Sequence, residues 1–282
     1  MPSPDELIAD AVTAACGSPM SSRTRIAEGF SNEVYAADTV DGQRVIVRIH
    51  WYESPHFEAE RWALDQCAKL GLPAPRVLLL SPSEVGGIPR SVCVESRLPG
   101  TTLRASLIAR TVCPVELRSV LVSTGAFLAR MHMVHANGYG RIDANGKAPA
   151  STPAASRLSH DLDQTYHAAR NLGIPRADVE EAMSLLEARP DSCTASSPRL
   201  LHGDVTPQNI MVEAGVFRGL IDFEFPASGD PATDLAIWDY YRHSPFDNPT
   251  GAELPTEWLV EGYQRETPLD ASFAQRLVGS RL

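Results

Sequence analysis

Apolar and polar positions change their period several times along this chain. Residues 3–16 read as a helix: Ser3 is placed to cap it, Pro4 suits the first turn, Asp5 and Glu6 meet its positive end, and Gly17 closes it. From Arg25 to His50 the pattern is that of strands. Val45, Val47 and Ile49 share one face, while Arg44, Ile46, Arg48 and His50 share the other. Asp41-Gly42 marks a hairpin turn between two β-branched runs. "HFEAERWALDQCAKLG" returns to a helix, from about His56 to Leu70, with Gly71 at its end. "RVLLLS" and "RSVCVES" then predict two more strands around a Gly-Gly turn. The order so far is strand, strand, helix, strand, strand, broken at Leu98-Pro99-Gly100.

Beyond that break the pattern turns mostly helical. Residues Pro114 to Ala136 carry apolar side chains at helical spacing. Asn145 to Ser156 is small and polar and reads as a surface loop. Helices are expected at about 157–172 and 177–188, then two segments each holding a short strand, then a helix from about Ala232. The outline is an α+β chain in two lobes. A small β-rich N-lobe spans residues 1–98, a linker lies near Leu98 to Thr102, and a larger, mostly helical C-lobe spans 99–282.

Composition narrows the function without naming it. Of 282 residues 43% are apolar and 21% charged, which suits a globular protein with an ordinary core. A formal net charge of −10 argues against a nucleic-acid binder, which needs a basic stripe for phosphates. The five cysteines are odd in number and form no C-x-x-C, so buried thiols in a reducing cytosol are expected rather than a disulfide framework or a zinc site. The start, "MPSPDELIADAV", has neither the basic nor the apolar region of a signal peptide, and no apolar run is long enough to span a bilayer. A cytoplasmic protein without membrane partners is the expectation.

Two segments carry the chemistry. "LHGDVTPQNIMV" packs His202, Gly203, Asp204, Gln208 and Asn209 between apolar runs, and "GLIDFEFPASGDPATDLA" holds Asp222, Glu224, Asp230 and Asp234. If the two loops face each other, Asn209 and Asp222 offer oxygen to Mg²⁺, an ion that prefers octahedral oxygen ligands. Asp204 then stays free to accept a proton. A cation over the phosphates and a carboxylate at the nucleophile are what phosphoryl transfer requires. Taken singly, Asp204 reads better as a helix cap or turn aspartate and Asp222 as a strand-end turn residue.

Jointly, H-G-D-x-x-x-x-N, I-D-F-E and G-D-P-x-x-D-L-A resemble the motifs of the aminoglycoside phosphotransferase and choline kinase family, relatives of the protein kinases. The resemblance runs from about Arg25 to Tyr263. It implies a bilobal kinase-like fold and a Mg²⁺-dependent transfer of phosphate from ATP or GTP to a small-molecule hydroxyl. By the same resemblance Asp204 is the catalytic base, His202 braces its loop, and Asn209 and Asp222 are the metal ligands. Glu224 is either a further metal ligand or a group beside the ligands, while Asp230 and Asp234 hold the loop and cap the following helix. "EGFSNEVYAA" resembles the nucleotide loop, with Gly29, Ser31 and Asn32 near the phosphates. Arg48 takes the place of the phosphate-gripping lysine, paired with Glu60 or, as the alternative, Glu58. "CVESRLPG" resembles the hinge, where backbone groups near Glu95 to Arg97 would meet the base.

An antibiotic acceptor, an aminoglycoside or another cationic hydroxylated compound, comes first by this resemblance. A metabolite kinase for choline, homoserine, methylthioribose or a sugar derivative is the alternative. A binding module that has lost catalysis is the rival of another class; intact Asp204, Asn209 and Asp222 argue against it. A P-loop nucleoside triphosphatase is disfavoured, because Gly146-Lys147 lacks the flanking residues of that motif. His132 and His135 share a helix with no third ligand in view, so packing or capping is expected of them rather than zinc binding.

Overall fold

The computed structural model describes residues 4–26, 32–50, 56–85, 88–152, 166, 169–171, 173–188 and 197–280. Helix α1 (Pro4–Cys16) precedes strands β1 (Met20–Ile26), β2 (Asn32–Thr39) and β3 (Arg44–His50). Helix α2 (His56–Lys69) and strands β4 (Val77–Val85) and β5 (Ile88–Ser96) follow. The five strands form one antiparallel sheet in the order β1-β2-β3-β5-β4. The sequence pattern predicts four strands here. The fifth, β1, reads MSSRTRI and is largely exposed, so it carries no apolar alternation to betray it. The Gly-Gly turn between β4 and β5 lies outside the described residues.

The pleat divides this sheet as the alternation predicts. Val45, Val47 and Ile49 of β3 join Val92 and Val94 of β5 and Tyr35 and Ala37 of β2 in one buried cluster, closed by Leu7, Ile8, Ala11 and Val12 of α1. Arg48 therefore points to the opposite face. Helix α2 packs elsewhere. Its Ala59, Ala63, Leu64 and Cys67 belong to the large cluster built by the helical part of the chain.

That part contains β6 (Thr101–Thr102), α3 (Leu103–Ile108), α4 (Pro114–Met131), β7 (Gly140–Arg141), α5 (Arg176–Ala188), β8 (Arg199–Leu201), β9 (Ile210–Glu213), β10 (Val216–Leu220), β11 (Ala227–Gly229), α6 (Ala232–Tyr241), α7 (Thr256–Glu266) and α8 (Phe273–Ser280). Two small sheets, β10-β9-β6 and β7-β11-β8, carry the motif segments. Helix α4 ends at Met131, short of the predicted Ala136; His132 is its C-cap, and the His132 ring meets buried Asp234. Helices α4 and α7 touch backbone to backbone: a Cβ on Gly125 would lie 1.9 Å from the Leu259 carbonyl oxygen, and one on Gly262 would lie 1.8 Å from that of Val122. Most of the helix expected at 157–172 falls outside the described residues. Among the described residues no helix is long and apolar enough to cross a membrane.

Candidate active site

Strand β8 delivers the chain into the loop 202–209, and β9 takes it out again. Gly203 sits at φ +83°, and a Cβ there would come within 2.1 Å of the Phe225 carbonyl oxygen, so the loop admits only glycine at this point. Asp234 of α6 anchors the loop from below: its carboxylate accepts the His202 and Gly203 backbone N–H groups, both at 2.9 Å. Asp234 is fully buried and also receives His132 Nε2 at 3.0 Å, while His132 Nδ1 meets the Tyr263 hydroxyl at 3.1 Å. Burial alone would raise the Asp234 carboxyl, but His132 and the loop N–H groups hold it below the usual carboxylate range. Asp230 accepts the Ala232 N–H at 3.0 Å and so caps α6.

His202 lies behind the loop. It is fully buried, takes no part in lining the cavity described below, accepts the Asp204 N–H on Nδ1 at 3.2 Å and donates from Nε2 to the Ile221 carbonyl at 3.0 Å. Burial lowers its affinity for a proton, in keeping with a neutral ring that both accepts and donates.

The two motif loops meet through Asn209. Its carbonyl accepts the Ile221 N–H at 2.9 Å, which sets Asp222 beside it. Its side-chain Nδ2 donates to the Asp204 carbonyl at 2.9 Å and to Asp204 Oδ2 at 2.8 Å. The amide oxygen is thereby left for another partner. Asp222 itself sits at φ +63°, a left-handed conformation that aspartate tolerates better than most residues.

Above these loops opens a cavity of about 640 Å³. Arg48, Glu95 and Arg97 line its sheet side; Asp204, Asn209, Asp222, Glu224 and Asp247 line its loop side. Arg48 is 5% exposed; its Nη1 lies 2.5 Å from Glu60 Oε1 and 4.0 Å from Glu95, and its Nη2 lies 3.5 Å from Asp222 and 3.8 Å from Glu224. Burial opposes the Arg48 charge, but Glu60, then Glu95 and Asp222, hold its pKa well above the usual value. Of the two candidate partners on α2, Glu60 pairs with Arg48 and Glu58 with Arg61.

Burial also raises the carboxyls. It lifts Glu60, and it lifts Glu95 to about 8 against the pull of Arg48. Asp204 rises to about 6 through burial and the charge of Asp222, against the pull of its Asn209 hydrogen bond.

The sequence-predicted residues thus fall into three sets. Asp204, Asn209, Asp222, Arg48, Glu95 and Arg97 converge on one cavity; Glu60 and His202 support it from behind. Gly29 and Ser31 lie outside the described residues, and of Asn32 only its place at the start of β2 is described. In the segment expected to be the hinge, Ser96 N–H donates to the Arg76 carbonyl and Arg97 N–H to the Arg44 carbonyl. The Glu95 side chain, given no role by sequence, enters the cavity wall. Sequence reading also missed Asp247, Tyr241 and Phe246, which line the cavity from the end of α6 onward, where no motif or period marks them. His132 packs against Tyr263 and Asp234, as a core histidine does. Among the described residues no group of His, Cys, Asp and Glu is set to hold a metal by itself.

A family model of the phosphotransferase enzymes matches residues 22–269. The chain belongs to that family. Among its curated relatives is a homoserine kinase of Gluconobacter oxydans, 27% identical over 86% of this chain and 73% of the relative. A homoserine kinase of Phenylobacterium zucineum is 26% identical over 90% of this chain and 73% of its own length. Among solved structures, a thermostable mutant of aminoglycoside phosphotransferase APH(4)-Ia in ternary complex with AMP-PNP and hygromycin B superposes with a TM-score of 0.65, at 18% identity, over 96% of this chain and 88% of that one. These likenesses establish a kinase-like fold. In its terms the β1–β5 sheet with α1 is the sheet part, and α2 is the helix that supplies the partner of the β3 cation.

Proposed function

We propose that this member of the phosphotransferase family moves the γ-phosphoryl group of ATP or GTP to a hydroxyl of a small molecule. The observation that carries the reading is the convergence on Asn209: one side chain holds the Asp204 carboxylate while its own backbone fixes Asp222. Asp204 orients the acceptor hydroxyl and takes its proton as the oxygen attacks the γ-phosphorus. The bond to the bridging oxygen breaks, and the nucleoside diphosphate departs. Arg48, held by Glu60, grips the donor phosphates with a fork that suits them. Residues 1–98 bind nucleotide and residues 99–282 bind the acceptor, with Gly29, Ser31 and Asn32 over the phosphates and the Glu95–Arg97 segment against the base.

The donor set fits magnesium. The Asn209 amide, whose nitrogen is spent on Asp204, presents oxygen, and Asp222 adds a half-exposed carboxylate on the same cavity. Two protein oxygens beside substrate phosphates are a usual share for Mg²⁺. When bound, the ion supplies positive charge for the phosphate oxygens. ATP-rich cytoplasm is the setting this chemistry needs.

The sequence relatives favour a small metabolic alcohol of the homoserine type as acceptor. An aminoglycoside-like antibiotic is the second reading, supported by the structural neighbours. The test is a coupled nucleotide-consumption assay against both classes, with the phosphorylated acceptor identified by mass spectrometry. The expected result is Mg²⁺-dependent transfer to one class. Nucleotide hydrolysis with no phosphorylated acceptor in either would contradict the proposal.

A further inference from the structure

Glu60 holds Arg48, and what holds Glu60 lies in the other half of the chain. Its helix, α2, puts its apolar side chains into the large cluster shared with α4, α6 and α7, whereas the sheet cluster is closed by α1. At the C-terminal end of α2, Arg130 Nη2 of α4 donates to the Leu70 carbonyl at 2.6 Å. Toward the sheet, α2 offers Phe57 and Glu60, one turn apart. The Arg48 guanidinium lies 5.2 Å from the Phe57 ring centre, and its Nη1 lies 2.5 Å from Glu60 Oε1. The other Glu60 oxygen is buried without a hydrogen bond among the described residues. The placing of α2 therefore sets where this carboxylate points.

Behind α2 stands the turn from Asp143 to Lys147, which contains the Gly-Lys pair that fails as a phosphate loop. Asp143 builds this turn. Its Oδ1 accepts the Asn145 and Lys147 N–H groups at 2.8 and 2.9 Å, its carbonyl accepts the Gly146 N–H at 3.0 Å, and its own N–H donates to the Lys147 carbonyl at 2.9 Å. Ile142 and Ala148, on either side, are buried in the large cluster. The turn presents Gly146, at φ +74°, to the Trp62 ring of α2: a Cβ there would lie 2.1 Å from Trp62 Cζ2 and 2.2 Å from Cε2. Trp62 and Glu60 are two positions apart, about 200° around a helix, so the indole leaves α2 on the side away from the carboxylate. Helix α2 is thus wedged between Arg48 on one side and a hydrogen-bonded turn on the other.

We propose that Trp62, seated on the Gly146 turn, is a positioning residue for donor binding: it sets α2, α2 sets Glu60, and Glu60 holds Arg48 in reach of the phosphates. The proposal rests on the reading of Arg48 as the cation that grips the donor. It adds that the grip is controlled from the C-terminal half, through a turn none of whose residues lines the cavity. A displaced α2 leaves Arg48 charged but drawn toward Glu95, Asp222 and Glu224, which already lie within 4.0 Å of it.

The test is calorimetric titration of AMP-PNP with Mg²⁺ into the wild type, Trp62→Leu, Gly146→Ala, Glu60→Gln and the double variant Trp62→Leu/Glu60→Gln. Each single substitution is expected to weaken nucleotide affinity about tenfold, the scale of a contact moved out of register. The double variant should be within about twofold of Glu60→Gln, because both changes act through one contact. Independent effects would multiply to about a hundredfold and overturn the proposal, as would unchanged affinity in Trp62→Leu or in Gly146→Ala. Should Trp62→Leu fail to fold, Gly146→Ala with Glu60→Gln gives the same cycle. Trp62→Phe keeps a ring on Gly146 and should restore most of the affinity. Arg61→Ala, on the same helix at an exposed residue paired with Glu58, should bind as the wild type does. An equal loss there would show that any change on α2 suffices, and would also overturn the proposal. Full affinity in Glu60→Gln would sink the reading of Arg48 and the proposal with it. A weakened Glu60→Gln beside an intact Trp62→Leu would sink the positioning role alone and leave that reading standing.

Discussion

Arg48 and Asp204 sit in the walls of the same cavity in opposite circumstances. Arg48 is nearly inaccessible and surrounded by Glu60, Glu95, Asp222 and Glu224. Asp204 and Asp247 have amide N–H donors from Asn209 and Gln208 instead of cations. Arg48 thus reaches Asp222 and Glu224 across the cavity, while Asp204 and Asp247 have no basic partner among the described residues. A preformed cation suits a ligand of fixed chemistry, such as a triphosphate, because nothing needs to reorganise on binding. Asp204 and Asp247, held by amide groups alone, are left for the acceptor that the loop side is proposed to take.

This contrast can be broken from either side, and the largest effect is expected on the loop. Asp204→Asn should lower kcat on the order of a hundredfold or more, as loss of a general base does, with nucleotide affinity unchanged. Steady-state kinetics alongside a binding titration reads both. On the sheet side, Arg48→Ala strands Glu60, which is 1% exposed and has a second oxygen already without a hydrogen bond. Stability should fall by about 3–5 kcal/mol in denaturant unfolding, the cost of breaking one partner of a buried pair. Asp222→Asn should weaken nucleotide binding on the order of tenfold with Mg²⁺ and little without it. Equal losses under both conditions would remove Asp222 from the metal site.

The smallest effects lie behind the loop. Tyr263→Phe removes the hydroxyl that meets His132 and should cost about 1 kcal/mol. Asp234 adds a pH dependence. Its folded-state pKa lies below its unfolded value, so its contribution is present above the ordinary carboxylate range and is lost as pH falls through the folded pKa. The melting temperature of the wild type should drop with acid more steeply than that of Asp234→Asn.

How much of this was legible in the sequence depends on distance along the chain. Asp204 and Asn209 are five residues apart on one loop, so the motif reads them together. Arg48 was legible through the pleat, since Val45, Val47 and Ile49 claim the core face and leave it the other. Strand β1 was not, because its side chains are polar and exposed on both faces. Asp247 was not, because it follows α6 in a stretch with no period, and only the fold brings it to Gln208, 39 positions earlier. The core role of His132 was anticipated in kind, but its partners, Asp234 and Tyr263, are 102 and 131 positions away.

The claim that two walls serve two substrates is tested most directly by paired Michaelis constants. Nucleotide and acceptor KM would be measured in turn for the wild type, Arg48→Lys and Asp247→Asn. Arg48→Lys keeps the charge beside Glu60 but loses the two-pronged contact, and should raise the nucleotide KM by about tenfold while sparing that of the acceptor. Asp247→Asn should do the opposite. If either substitution moves both constants together, the two walls do not divide the work, and the account is wrong at its centre.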